Sequence, residues 1–157
     1  MEIRKLKKKD YKQVNEILLK LHNIHVEKNP YIFSKIDKFF TKKEWINRLE
    51  NKKYKYFGTF EEDKLIGIIG IVFNNFSGTI CPEISCLYVE EEYRKQNIAK
   101  NLLNKAIKYT KKKLEKYEKT SNFLDLDVMA FNEDAISFYK KMGFDFKCHI
   151  MELKIKD

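Results

Sequence analysis

The sequence predicts a mixed α/β (α+β) fold in one domain spanning residues 1–157, with a mostly antiparallel central sheet flanked by helices. Three observations lead there. The hydrophobic period is about 3.6 residues in the first third, about 2 in the middle, and then alternates between the two. The chain has 157 residues, enough to bury a core as one domain. Gly (5) and Pro (2) are scarce, so no linker divides it.

The elements follow in order. Residues 2–6 alternate and form a short first strand. Asp10 can cap the helix that follows, in which Val14, Ile17, Leu18 and Leu21 fall on one face. Pro30 breaks the next stretch. Thr41-Lys42-Lys43-Glu44 is a capping-box pattern opening a second helix that carries Trp45, Ile46 and Leu49. Residues 54–60 and 65–73 are two strands joined by the polar turn Glu61-Glu62-Asp63-Lys64. Residues 74–78 are a turn, and residues 84–89 form another strand after Pro82. Ile98, Leu102, Leu103, Ala106, Ile107 and Leu114 line one face of a helix whose other face is lysine-rich. Residues 123–130 read as a strand with Asp125 and Asp127 on one side. Asn132 caps a last helix with Glu133 and Asp134 in its first turn and Gly143 just past its end. Residues 144–155 supply one or two final strands.

Composition narrows the function. The N-terminus has no apolar segment of the signal-peptide kind, and no apolar run approaches a membrane span. Cys81, Cys86 and Cys148 lack a zinc-ligand spacing, and an odd count without a leader points to reduced thiols in the cytoplasm. No metal site is expected. The net charge of +9 is carried almost wholly by lysine. An anionic partner would account for it, and so would the codon bias of an AT-rich genome. Arg4, Arg48 and Arg94 are the only arginines, few for a protein that reads base edges.

The segment after the 84–89 strand has chemical potential. Glu90-Glu91-Glu92 is followed by Tyr93-Arg94-Lys95-Gln96-Asn97, and a helix begins near Ile98. A loop entering a helix N-terminus offers unpaired N–H groups and a positive dipole to a diphosphate. Asn97 tolerates a left-handed backbone, Ala99 adds little bulk, and Arg94 and Lys95 add charge.

The run from Val89 through Arg94-Lys95-Gln96-Asn97-Ile98-Ala99 to Leu102-Leu103 resembles the GNAT superfamily of N-acetyltransferases. Its signature is Gln or Arg, two variable residues, Gly, one variable residue, then Gly or Ala; Asn97 stands at the first Gly. The stretch from Asn132 through Tyr139 to Gly143-Phe144 also matches that family, in its order and at its usual separation. The resemblance implies a GNAT-like sheet splayed between the strands 84–89 and 123–130, and acetyl-coenzyme A as acyl donor. Leu87, Tyr88 and Val89 would meet the pantetheine arm. Arg94, Lys95, Gln96, Asn97, Ile98, Ala99 and Lys100 would surround the diphosphate, and Asn132 and Tyr139 would also contact the cofactor. Tyr139 would protonate the leaving thiolate, and Glu83 is the candidate general base. His25, Tyr31 and Phe33, in the part that grips the acceptor, are candidate substrate contacts. The partners implied are acetyl-coenzyme A and an amine; no membrane and no nucleic acid are expected, and a homodimer is left open. A catalytically silent acyl-coenzyme A sensor and a basic nucleic-acid-binding module are the alternatives.

Overall fold

The structure, a computed structural model, describes residues 1–156. The chain divides into two compact units, Met1–Asp127 and a smaller one that begins at Val128.

In the larger unit five strands lie in the order β1-β2-β3-β4-β5. They are β1 (Glu2–Lys5), β2 (Tyr54–Glu61), β3 (Lys64–Phe76), β4 (Thr79–Val89) and β5 (Asp125–Leu126). β1 to β4 pair antiparallel, and β5 joins β4 in parallel. Two helices precede β2, α1 (Tyr11–Lys28) and α2 (Lys42–Glu50), and α3 (Ile98–Leu114) follows β4. One face of the sheet packs with α1 and α2 around Val14, Ile17, Leu18, Trp45, Tyr56, Ile68 and Tyr88. On the other face Phe57 and Phe73 meet Tyr109 of α3 edge-on. Among the described residues no helix is long and apolar enough to cross a membrane.

Local chemistry accounts for most boundaries. α1 ends two residues before Pro30, whose ring disfavours helix in the residue ahead of it. At α2 the Glu44 N–H donates to the Thr41 hydroxyl at 3.2 Å, and the Thr41 N–H donates to the Glu44 carboxylate at 2.7 Å. This is the reciprocal bonding that the Thr-x-x-Glu spacing predicts. Asp10 behaves differently from expectation. It sits at the N-cap of α1 but makes no side-chain cap there; it accepts two 2.8 Å bonds from the Arg4 guanidinium and one of 2.7 Å from the Lys7 N–H. A buried carboxylate binds the stronger charged donor when one is in reach.

Three strand expectations change. β3 runs on to Phe76, so the predicted five-residue turn contracts to Ser77-Gly78, both with positive φ (50° and 85°). That is the backbone a two-residue hairpin needs. β4 begins at Thr79 and runs through Pro82. Ile80 bonds to the 119–121 segment through both its N–H and its C=O, so by alternation the Pro82 nitrogen faces that same side, where no regular ladder needs a donor. The predicted strand 123–130 shrinks to Asp125–Leu126 for a related reason: the β4 edge offers it only Glu83 and Ile84 as partners.

The smaller unit holds α4 (Glu133–Lys141), capped by Asn132, whose Oδ1 accepts from the Ala135 N–H at 3.2 Å. Gly143 follows with φ 90°. The described residues 144–156 form neither helix nor strand, where one or two strands were expected. Alternation alone cannot hold a strand that has no edge to pair with, and Ile150, Met151, Leu153 and Ile155 are all exposed.

Candidate active site

The register between β3 and β4 shifts by one residue: Gly70 faces Cys86 and Ile71 faces Ile84, so Ser85 has no partner. Ser85 is therefore a bulge. It lies where β4 parts from β5, whose last paired residue is opposite Ile84. Beyond it, among the described residues, Cys86–Val89 pair on the β3 side only. The Glu90 N–H donates to Ile66 of β3 at 2.9 Å. Alternation then turns the backbone groups of Leu87 and Val89 toward the open edge and those of Tyr88 toward β3. The β4–β5 pairing thus stops at Ile84 and Leu126, where a splay between the strands 84–89 and 123–130 was expected to start, and the Leu87 and Val89 N–H groups point to the unpaired side. The Val89 carbonyl is occupied; it accepts from Arg94 Nε at 3.2 Å.

The open edge leads into the loop. Glu91–Tyr93 form one 3-10 turn, and then Lys95 and Asn97 both take left-handed backbone, φ 61° each. Asn97 is the N-cap of α3 with φ 61° and ψ 10°, and its side chain makes no cap bond. It thus adopts a left-handed conformation of the kind glycine takes most readily. The first N–H to close the helix is that of Asn101, onto the Asn97 carbonyl at 2.9 Å, so the N–H groups of Ile98, Ala99 and Lys100 have no intrahelical acceptor. Ile98 is buried and anchors this turn, while Lys95, Gln96, Asn97 and Lys100 are exposed. Alternating left-handed residues ahead of a helix N-terminus form a concave set of donors suited to a diphosphate.

Side chains hold the loop in place. Arg94 reaches back to the Val89 carbonyl, lies 5.6 Å from the Tyr88 ring centre and is 3.7 Å from Glu91. Gln96 Nε2 donates to the Glu92 carbonyl at 3.3 Å. The three consecutive acids are each matched to a cation: Glu90 to Lys20 of α1 at 2.7 Å, Glu91 to Arg94 and Glu92 to Lys64 at 3.0 Å. They brace the loop and are not a free acidic patch.

Glu83 lies two residues before the bulge. Tyr54, Val72, Glu83 and Asp125 are successive register partners across β2, β3, β4 and β5, so they form one row on one face of the sheet. Tyr54 packs on the α1–α2 side of the core. Val72 and Glu83 are only half-buried there, whereas Ile71 and Phe73, pointing to the α3 side, are buried. Burial pushes the Glu83 carboxyl above its ordinary value, and the charges of Asp127 and Asp125 add to this; a 3.0 Å bond from Asn74 Nδ2 opposes it.

Along this row, at Tyr54, opens a cleft of about 450 Å³ lined by Phe39, Phe40, Glu44, Asn47, Arg48, Asn51 and Tyr54. None of the expected substrate contacts lines it. His25 and Phe33 lie together, ring centres 5.2 Å apart, and burial lowers the His25 pKa, with His22 adding to the effect. Tyr31 is 73% exposed, its hydroxyl donating to Asn29 at 3.0 Å. Of the four aromatics between residues 31 and 40, Phe40 is core and Phe39 borders the cleft. Arg48, Asn47 and Asn51 are not evident from the sequence; the one signal is that Glu44, Asn47, Arg48 and Asn51 fall at i, i+3, i+4 and i+7, along α2 and its C-cap.

In the smaller unit Tyr139 lies on α4 between Phe138 and Phe144, ring centres 5.3 and 5.7 Å away. Asn132 caps the same helix and leaves its amide N–H₂ for another partner. Among the described residues no group of His, Cys, Asp and Glu could hold a metal ion.

Comparison with known proteins agrees with this geometry. Residues 18–144 match the acetyltransferase (GNAT) family. An uncharacterized N-acetyltransferase of Methanocaldococcus jannaschii is 37% identical over 65 residues, which cover 41% of this chain and 26% of that protein, about a quarter of its length. A mutant Bacillus halodurans protein of solved structure superposes with a TM-score of 0.86 at 23% identity, covering 99% of this chain and 100% of its own. An aminoglycoside N-acetyltransferase in complex with CoA superposes with a TM-score of 0.68 at 12% identity, covering 99% and 100%. At these identities the structural likeness speaks for the fold.

Proposed function

The chain belongs to the acetyltransferase (GNAT) family, whose acyl donor is acetyl-coenzyme A, and on that premise we propose that it transfers an acetyl group to a primary amine by direct attack in a ternary complex. The observation that carries this reading is the open β4 edge leading, through one 3-10 turn, into a loop with left-handed Lys95 and Asn97. An extended, amide-bearing arm can add to such an edge as a strand would, and a diphosphate can follow it onto the N–H groups of Ile98, Ala99 and Lys100.

Bound acetyl-coenzyme A supplies a thioester-activated acetyl group. Glu83 accepts the proton of the amine, directly or through one water; burial raises its pKa and makes it a better base than an ordinary carboxylate. The Val89 N–H, on the open edge, donates to the carbonyl oxygen as negative charge develops there. Tyr139 gives a proton to the departing sulfur, and Asn132 contacts the cofactor. The three cysteines are free thiols, which suits action in the cytoplasm.

Two measurements test the reading in sequence. Coenzyme A should raise the melting temperature, and acetyl-coenzyme A should then release free thiol with at least one member of an amine panel. Stabilisation without release from any amine supports the silent sensor instead. Salt-sensitive binding to RNA without any coenzyme A effect supports the nucleic-acid module.

A further inference from the structure

Two of the three arginines are neutralised by acids: Arg4 by Asp10 at 2.8 Å, and Arg94 by Glu91 at 3.7 Å. Arg48 is not in an ion pair among the described residues. Its guanidinium carbon lies 4.7 Å from the Phe40 ring centre and 4.5 Å from that of Tyr54, and Nη1 donates to the Tyr56 hydroxyl at 3.1 Å. The acid one turn earlier, Glu44, is occupied at the helix start by the Thr41 N–H and hydroxyl, at 2.7 and 2.8 Å. Arg48 is therefore a half-buried cation, held in position by aromatic rings, with most of its donors unused and a cleft beside it. A guanidinium fixed in this way loses little freedom on binding and matches a planar carboxylate through two parallel bonds.

The other end of the same surface has the opposite sign. Tyr54, Val72, Glu83 and Asp125 stand in one row, with Arg48 over Tyr54 at one end and two carboxylates side by side at the other. Neighbouring strands are about 4.8 Å apart, which sets Tyr54 and Glu83 about 10 Å from each other. The row thus runs from a fixed cation to an acidic pair over the length of a small extended molecule.

We propose that the acceptor is a zwitterion, an amine that also carries a carboxylate, with the carboxylate seated on Arg48 and the reacting nitrogen at Glu83. This rests on the acetyl-transfer reading above and adds the substrate class. A polycation would set positive charge against Arg48, and a simple alkylamine would leave most of the guanidinium's donors unused, because Glu44, the carboxylate of the cleft, is bonded to Thr41. Arg48 acts in specificity; the proton transfer belongs to Glu83.

The test compares 6-aminohexanoate with hexylamine, which differ by the carboxylate alone, and with spermidine, by thiol release from acetyl-coenzyme A. The expected result is a kcat/KM about 10–100-fold higher for 6-aminohexanoate than for hexylamine, the range of a charge-assisted pair, carried mainly by KM. In Arg48→Gln the ratio falls to near one. Arg48→Lys, which keeps the charge and loses the fork, gives an intermediate ratio and guards against misfolding of the first variant. A readout independent of turnover is thermal stabilisation by hexanoate, present in the wild type and absent in Arg48→Gln. Equal use of 6-aminohexanoate and hexylamine by the wild type, preference for spermidine, or an unchanged ratio in a folded Arg48→Gln overturns the proposal and leaves acetyl transfer standing. Thiol release with none of the amines, despite stabilisation by coenzyme A, overturns both.

Discussion

Asn74 Nδ2 donates to Glu83 Oε2 at 3.0 Å, from β3 to the neighbouring strand. The bond favours the ionised carboxylate, but burial and then the charges of Asp127 and Asp125 prevail, so Glu83 holds its proton more tightly than a free glutamate. Asn74→Ala removes the one hydrogen bond that opposes them. The acidic limb of the kcat/KM–pH profile should then move to higher pH. Glu83→Gln should lower kcat by about 10²–10⁴ and abolish that limb. Because the folded pKa is raised, Glu83 costs stability that builds as pH rises from its unfolded value to its folded one and is complete above that. The Gln variant should thus melt no lower than the wild type at about pH 7, and any advantage should vanish below about pH 4.

The pair of buried Asp10 and half-buried Arg4 should dominate acid stability at the N-terminal end. Burial would raise the Asp10 pKa, but the hydrogen bonds from Arg4 and the Lys7 N–H outweigh it and hold the group below its ordinary value. A depressed folded pKa gives stability that is complete above the unfolded value and is lost as pH falls through the folded one. Asp10→Asn should cost about 2–4 kcal/mol near neutrality, since it leaves Arg4 without its counter-charge. Denaturant melts of the two proteins should converge as pH falls through the lowered folded pKa of Asp10.

Asn97 offers a clean test of the loop's backbone. Replacing it with alanine places a Cβ without compensating chemistry in a left-handed conformation, at a cost of about 1 kcal/mol. Asn97→Gly should stay within a few tenths of the wild type. Coenzyme A affinity by calorimetry should fall for Ala and hold for Gly. Equal loss in both would mean that the Asn97 side chain, not its backbone, meets the cofactor.

Lys113 of α3 lies 3.7 Å from the Phe73 ring centre, and its ammonium donates to the Lys52 carbonyl. Burial pushes its pKa down to about 8, helped by Lys55 and Lys116. Between that value and the ordinary one near 10.5, the unfolded chain binds more protons than the folded one, so stability rises with pH across that window. Lys113→Met should flatten the rise, as read by melting temperature between about pH 7 and pH 10.

Features set by neighbours in sequence are legible without a structure. The capping box at Thr41 and Glu44, the stripe on α3, the helix stop before Pro30 and the Asn132 cap all depend on residues within a few positions of each other, and spacing reveals them. Asn97 in place of Gly is readable for the same reason, because left-handed tolerance belongs to a single residue. Arg48 is not, since its neighbours Phe40, Tyr54 and Tyr56 come from a loop and a strand. A lone arginine on a helix looks solvated until those segments meet. The strand at 123–130 alternates correctly, yet what limits it is on β4, where Pro82 lacks a donor and Ser85 breaks the register. Alternation reports which face a residue prefers, and carries no information about the length of edge available to it.

Ser85 has a consequence that concerns parity. Cys86 faces Gly70, and counting back from there without interruption would set Ser85 against Ile71, Ile84 against Val72 and Glu83 against Phe73. Glu83 would then lie beneath α3, and an isoleucine would hold its place in the row. The extra residue moves each of them along by one, which sends Ile84 to the α3 side and Glu83 to the row with Val72. Removing Ser85 from the chain would therefore leave Ile84 against Ile71 and Glu83 against Val72, now in an unbroken ladder, and would take away only the kink. Keeping Ser85 but ironing it flat would preserve every functional group and misdirect the acid. The aim of the carboxylate is thus an odd-or-even property of β4, and the opening of its edge is a property of curvature. The bulge lets both hold at once, and a deletion keeps the aim while losing the opening.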